Sequence, residues 1–216
     1  MRVGVLGTGT VGQTLGTKLV GLGHEVRMGS RDAANEKAHD WASAAGEAAS
    51  AGDFADAAGF GGLVFNCTAG AVSLQALEQA GDEALRGKVL VDVSNPLDFS
   101  RGMPPTLTVC NDDSLAEQIQ RRFPDTRVVK TLNTVNANVM VDPASLPGEH
   151  DVFVCGDDEA AKTEVRGLLE SFGWPPERIV DLGAIDGARA VEMYLPLWVR
   201  LFRTFGTPHV NVRVVH

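Results

Sequence analysis

An apolar strand runs straight into a glycine-rich turn at the start of this chain, as Val3-Gly4-Val5-Leu6-Gly7-Thr8-Gly9-Thr10-Val11-Gly12. No other feature constrains the fold as much. The pattern G-x-G-x-x-G is common by itself, but between a strand and a helix it marks a dinucleotide-binding βαβ unit. Each glycine has its own task there. Gly7 permits the tight turn, Gly9 lets the backbone approach a pyrophosphate, and Gly12 lets the helix pack closely on the strand. A helix from Thr10 to Leu22 would aim its free amides and positive dipole end at the phosphates, with Thr8, Thr10 and Val11 at its mouth. The alternative is a Gly-rich turn that binds nothing.

The end of the second strand chooses between the two nicotinamide cofactors. It reads Val26-Arg27-Met28-Gly29-Ser30-Arg31-Asp32. An NAD site ordinarily ends this strand on Asp or Glu, which accepts hydrogen bonds from the ribose 2′-hydroxyl and would repel a 2′-phosphate. Here a hydroxyl, Ser30, and a guanidinium, Arg31, fall where that phosphate would sit, and Arg matches phosphate oxygens with a fork of donors. Lys37 could add a point charge further on. NADP is therefore expected over NAD. A register shift of one residue would instead make Asp32 a 2′-hydroxyl acceptor.

Composition narrows the partners. A net charge of −9 argues against nucleic acid and anionic membranes. The three cysteines, Cys67, Cys110 and Cys155, are odd in number and far apart, with no zinc spacing, so they read as reduced thiols of a cytoplasmic protein. No metal site is expected. Asn66-Cys67-Thr68 matches a glycosylation sequon, but it falls at the end of a core strand and is discounted. The N-terminal apolar run breaks at Gly7 to Gln13, as a secretory signal would not. No segment has the apolar length of a membrane span.

Strands and helices alternate, which implies a mostly parallel sheet covered on both faces. Strands are expected at Arg2 to Leu6, Glu25 to Met28, Glu47 to Ser50, Leu63 to Cys67, Val89 to Val93 and Arg127 to Thr131. Together they complete a six-strand, doubly wound unit. A loop with Pro96, Pro104 and Pro105 interrupts it, and Ser114 with Glu117 makes a helix-capping box. Asp157 and Asp158 suit a helix N-terminus better than a metal. Further strands are expected at Asp151 to Cys155, Ile179 to Asp181 and Val210 to Val215, with a long apolar helix from Ala188 to Phe205 kinked at Pro196. The expected fold is α/β, a Rossmann-type doubly wound sheet over residues 1–140 and a small C-terminal α+β domain over 141–216. The last strands could equally extend the first sheet.

Ligands of such sheets bind at the carboxyl ends of the strands. Those ends are Gly7 to Gly12, Ser30-Arg31, Thr68-Ala69-Gly70, Ser94-Asn95-Pro96 and Asn133-Thr134. Thr68 and Ala69 would flank the nicotinamide ribose. Ser94, Asn95 and Asn133 carry groups suited to a carboxamide or a substrate carbonyl, although turns favour the same residues. No catalytic acid or base stands out, and none of the five histidines falls at a strand end; the terminal one, His216, reads as exposed. Hydride transfer between two bound cofactors would need no such group, since the protein then supplies orientation and proximity.

Several segments, in order and spacing, resemble the coenzyme F420-dependent NADP oxidoreductases. They are Leu6-Gly7-Thr8-Gly9, Leu22-Gly23-His24-Glu25 with Gly29-Ser30-Arg31, and Val93-Ser94-Asn95-Pro96 with Ser100-Arg101-Gly102. Leu132-Asn133-Thr134, Val154-Cys155-Gly156-Asp157-Asp158, and Glu192 with Leu195-Pro196-Leu197 extend the match over nearly the whole chain. The resemblance implies an NADP-dependent oxidoreductase, usually a homodimer, with Thr8, Ser30 and Arg31 at the NADP phosphates. Its deazaflavin ring would lie in the cleft against the nicotinamide, taking hydride at C5. Two departures lie on the acceptor side. Asn133 stands where the family carries His, and Thr68-Ala69-Gly70-Ala71-Val72 replaces an aromatic- and His-bearing loop. A flavin, a quinone or a metal-reducing route therefore stays open for the second substrate, as does a non-catalytic NADP-binding redox sensor. Arg101 and Lys130 are candidate contacts for the polyanionic tail of F420. The apolar helix with Met193, Tyr194, Leu197, Trp198, Leu201 and Phe202 is expected to line the cleft or a dimer interface.

Overall fold

Strands β1 (Arg2–Leu6), β2 (Glu25–Ser30), β4 (Leu63–Asn66) and β5 (Val89–Asp92) are short and largely buried on both faces, while β3 (Ala49–Asp53), at the sheet edge, is half-buried. Interior parallel strands covered by helices must be buried in this way. The computed structural model describes residues 1–215, so the expectation for His216 lies outside them. Helices α1 (Thr10–Gly21), α2 (Glu36–Ala45), α3 (Phe54–Phe60), α4 (Gly70–Ala80) and α5 (Asp82–Leu85) connect these strands. The proline-rich loop contains a small antiparallel hairpin, β6 (Leu97–Asp98) with β7 (Thr106–Leu107). Helix α6 (Leu115–Arg122) follows, capped by Ser114, which accepts from the Glu117 amide as its capping-box spacing predicts. Strand β8 (Arg127–Thr131) and helix α7 (Ala137–Val141) follow.

With β9 (Val152–Cys155) and β10 (Ile179–Asp181) the sheet has eight strands, in the order β10-β9-β8-β5-β4-β1-β2-β3. Its order reverses between β1 and β4, the point at which ligands of doubly wound sheets bind. Strand β3 begins two residues later than its sequence suggests and runs further, because its partner β2 continues to Ser30, paired with Asp53.

No break in the sheet marks the expected boundary at 140. Strand β9 (Val152–Cys155) pairs antiparallel with β8, and β10 (Ile179–Asp181) pairs parallel with β9. Helix α8 (Glu159–Phe172) packs Val165, Leu169 and Phe172 into the same core as Val3 and Val129. Asp158 caps it by accepting from the Ala161 amide at 2.7 Å, and Asp157 accepts from the Ile185 amide at 2.9 Å, so both aspartates serve backbone donors.

Two expectations are corrected here. Residues 210–215 form no strand; the Asp151 amide donates to Val212 O at 2.9 Å and the Asp151 carboxylate takes the Val214 amide at 2.6 Å. One backbone bond and one side-chain bond stand in for a ladder. The long apolar helix is two helices, α9 (Ala188–Met193) and α10 (Leu195–Phe205), with Pro196 in the first turn of the second. Proline costs nothing there, because that N–H has no helical partner. Leu197 and Phe205 of α10 stand exposed. No helix among the described residues is long and apolar enough to cross a membrane.

Candidate functional site

Gly7 has φ +117°, and its amide donates to Gly29 O at 2.9 Å, which ties the turn to the end of β2. A Cβ on Gly12 would collide with the Gly7 carbonyl, so this glycine is required by packing. Gly9 is different. A Cβ there meets nothing within 4 Å, so the fold alone does not demand glycine. It is the N-cap of α1, with no side-chain cap and no acidic residue in the first turn. The first amides of α1 are thus free for an anion. Helix α4 repeats the arrangement, with Ala69 as an N-cap that offers no side-chain acceptor.

Both helix N-termini open into one cleft of 630 Å³. Gly9, Thr10 and Val11 form one side of it, and Cys67 to Ala71 the next. Val93, Ser94 and Asn95 form its floor, and Leu97, Asp98, Phe99 and Thr108 of the hairpin its far wall. The lining is mostly apolar, and Phe99 is 56% exposed, which suits the face of a planar ring. Burial pushes the Cys67 thiol well above the usual range, so it stays protonated. Hydrogen bonds from the Ser100 amide and hydroxyl hold the Asp98 carboxyl below its usual range, so it stays ionised and is a poor proton donor.

A second hollow of 140 Å³ lies beyond α4, lined by Arg31, Phe54, Val72, Gln75, Ala76 and Gln79. Arg31 is exposed, and among the described residues no carboxylate pairs with it. The Asp32 carboxylate accepts from the Ala34 amide at 2.9 Å and closes a local turn. Ser30 is buried and bonds to the Asp32 backbone. Lys37 is exposed on α2 and lines neither hollow.

Beneath the floor lies a buried polar network. Asn66 and Asp92 end two adjacent strands, Lys130 is the last residue but one of the next, and the three lie in register and are fully buried. Asp92 accepts from Asn66 at 2.8 Å and from the Ser94 hydroxyl at 2.7 Å. Asn66 accepts from the Thr68 hydroxyl at 2.6 Å, which fixes the β4–α4 turn. The signal was in the sequence, since each of these residues ends an otherwise apolar run.

Several expected site groups are turned inward. The Ser94 hydroxyl is committed to Asp92 and its carbonyl to Lys130. Asn133 donates to Asn95 Oδ1 at 2.9 Å and to Val191 O at 3.0 Å, while Asn95 donates back to Asn133 O at 2.9 Å. Leu132, with φ +62°, bends the chain so that this clasp can form. Pro96 is buried and accepts from the Thr108 amide at 2.8 Å, bracing the hairpin. Lys130 cannot reach a ligand tail, because its side chain is fully buried and paired with Asp92 and Glu192. Burial would strip its proton, but those two carboxylates hold its pKa above the usual lysine value. Arg101 is exposed and lies outside the cleft lining. No residue of α10 lines the cleft.

Comparison with known proteins agrees with this geometry. Residues 2–96 match the family model for coenzyme F420-dependent NADP oxidoreductases. An F420-dependent NADP reductase from Methanothermobacter marburgensis is 31% identical, the match covering 93% of this chain and 92% of that one. The rat metalloreductase STEAP3 is 31% identical over 91% of this chain, which spans 38% of the metalloreductase. Among solved structures, an Arthrobacter sp. FB24 protein assigned as an F420-dependent NADP reductase is 50% identical over the whole of both chains, with a TM-score of 0.94.

Proposed function

The chain belongs to the family of coenzyme F420-dependent NADP oxidoreductases, and on that premise we propose that it passes a hydride between NADPH and a deazaflavin in the 630 Å³ cleft. The observation that carries the reading is that one cleft receives both the free amides of α1 and the apolar wall of the hairpin. The first suits a pyrophosphate and the second a flat ring. NADPH, when bound, supplies the hydride. The chain binds, orients and excludes water. Its cleft lining holds an ionised Asp98 and a protonated Cys67 but no proton donor matched to neutral pH, which suits a transfer between two bound rings.

Arg31 and the hollow beside it are the proposed seat of the 2′-phosphate and adenine, with Ser30 shaping the turn that presents Arg31. Thr8, Thr10, Val11, Thr68 and Ala69 are the proposed contacts of the pyrophosphate and the nicotinamide ribose. Asn95 and Asn133 hold the floor in place through their clasp.

A flavin acceptor is the second reading, favoured by the small side chains from Thr68 to Ala71. Absorbance-monitored NADPH oxidation with F420, FMN and buffer in parallel separates the two. Rapid turnover with F420 alone is expected. Turnover with FMN alone would transfer the assignment to flavin, and none with either would leave an NADP-binding sensor.

A further inference from the structure

Lys130 has three protons to donate, and each has an acceptor. These are Asp92 Oδ2 at 2.8 Å, Glu192 Oε1 at 2.8 Å and the Ser94 carbonyl at 2.6 Å. Asp92 and Glu192 come from the end of β5 and from α9, so the ammonium joins two distant segments to the cleft floor. Glu192 also accepts the Leu115 amide at 2.8 Å and the Ala116 amide at 3.2 Å, the first two of α6. Those amides offset only part of its charge. Two carboxylates therefore share one ammonium, a formal surplus of one negative charge, in a cluster at most 1% exposed. Stability does not explain such a cluster, because well-packed apolar residues in its place are often as stable or more so.

We propose that Asp92, Lys130 and Glu192 are electrostatic positioning residues for the nicotinamide. Their surplus negative charge favours the oxidised, cationic ring over the neutral reduced one, while Lys130 fixes the Ser94 peptide on which the ring rests. This rests on the reading that the nicotinamide half of NADP occupies the cleft. A departing hydride takes a proton and two electrons, so the ring left behind carries one more unit of positive charge. A fixed negative charge behind the floor stabilises that product and the transition state leading to it.

The test is the ratio of the dissociation constants of NADP⁺ and NADPH, measured by fluorescence titration of the wild type and of Glu192→Gln. The two cofactors share every phosphate, and general damage to the site weakens both alike and cancels. The ratio is expected to rise about three- to tenfold when the surplus charge is removed. Asp92→Asn carries the same expectation and serves if Glu192→Gln does not fold. An unchanged ratio in either folded variant overturns the proposal. Wild-type protein that binds neither cofactor would overturn the NADP reading itself, a distinguishable result.

Discussion

Arg31→Ala is expected to weaken NADPH binding by about ten- to a hundredfold and to leave NADH within about twofold, since charge-assisted hydrogen bonds contribute about 1.5–3 kcal/mol. The two cofactors differ only in the 2′-phosphate, so the difference isolates that contact. Arg31 follows the last residue of β2, is exposed and lines the hollow behind α4. No described carboxylate neutralises it, so its whole fork of donors is available to a dianion. Asp32, the residue that could have reversed the preference, is turned to the Ala34 amide and closes its own turn. Fluorescence titration of wild type and variant with both cofactors checks the expectation. Equal losses for NADPH and NADH would show that Arg31 does not read the phosphate.

The second large effect separates ligand from fold within one motif. Gly9→Val is expected to keep the melting temperature within about 2 °C of wild type, as an unstrained surface change should. It should nonetheless lower NADPH affinity about tenfold or more, the scale on which overpacking a fitted site is felt. Gly9 has an extended backbone at φ −77°, and the space around its missing Cβ is empty. Only something that arrives later gives a reason for glycine. Gly12→Ala should show the opposite order, with loss of stability first, because its Cβ would strike the Gly7 carbonyl. Thermal melts and NADPH titrations of the two variants make the comparison. A Gly9→Val protein that binds NADPH normally would remove the pyrophosphate from the α1 N-terminus.

The turn was legible because its chemistry is local. Gly7, Gly9 and Gly12 act through their own backbone, and Ser30-Arg31 follows from counting along one strand. The doubly wound order was legible for the same reason, since short apolar runs alternating with helices leave few topologies. The continuation of the sheet through β9 and β10 was only one of two open readings. Strand pairing across residue 140 depends on which edge is free, and no local pattern states that. The commitments of the floor residues were not legible, for a further reason. Asn95, Asn133 and Ser94 look free in a list of residues, but each is spent on a partner brought close by the fold. Lys130 read as a charge reaching for the anionic tail of a ligand. It became a buried one because β8 sets it beside Asp92 and α9 delivers Glu192, which is 62 positions further along the chain.

Hydride transfer within one cleft is tested most directly with NADPH carrying deuterium at the transferring position of C4. The protein is mixed with stoichiometric F420, and the reduced deazaflavin is analysed by mass spectrometry and NMR. Deuterium recovered at ring carbon C5 of the deazaflavin, with none lost to water, is the result this structure leads us to expect. Intact F420 beside unconsumed NADPH, in a protein that binds both, would contradict it.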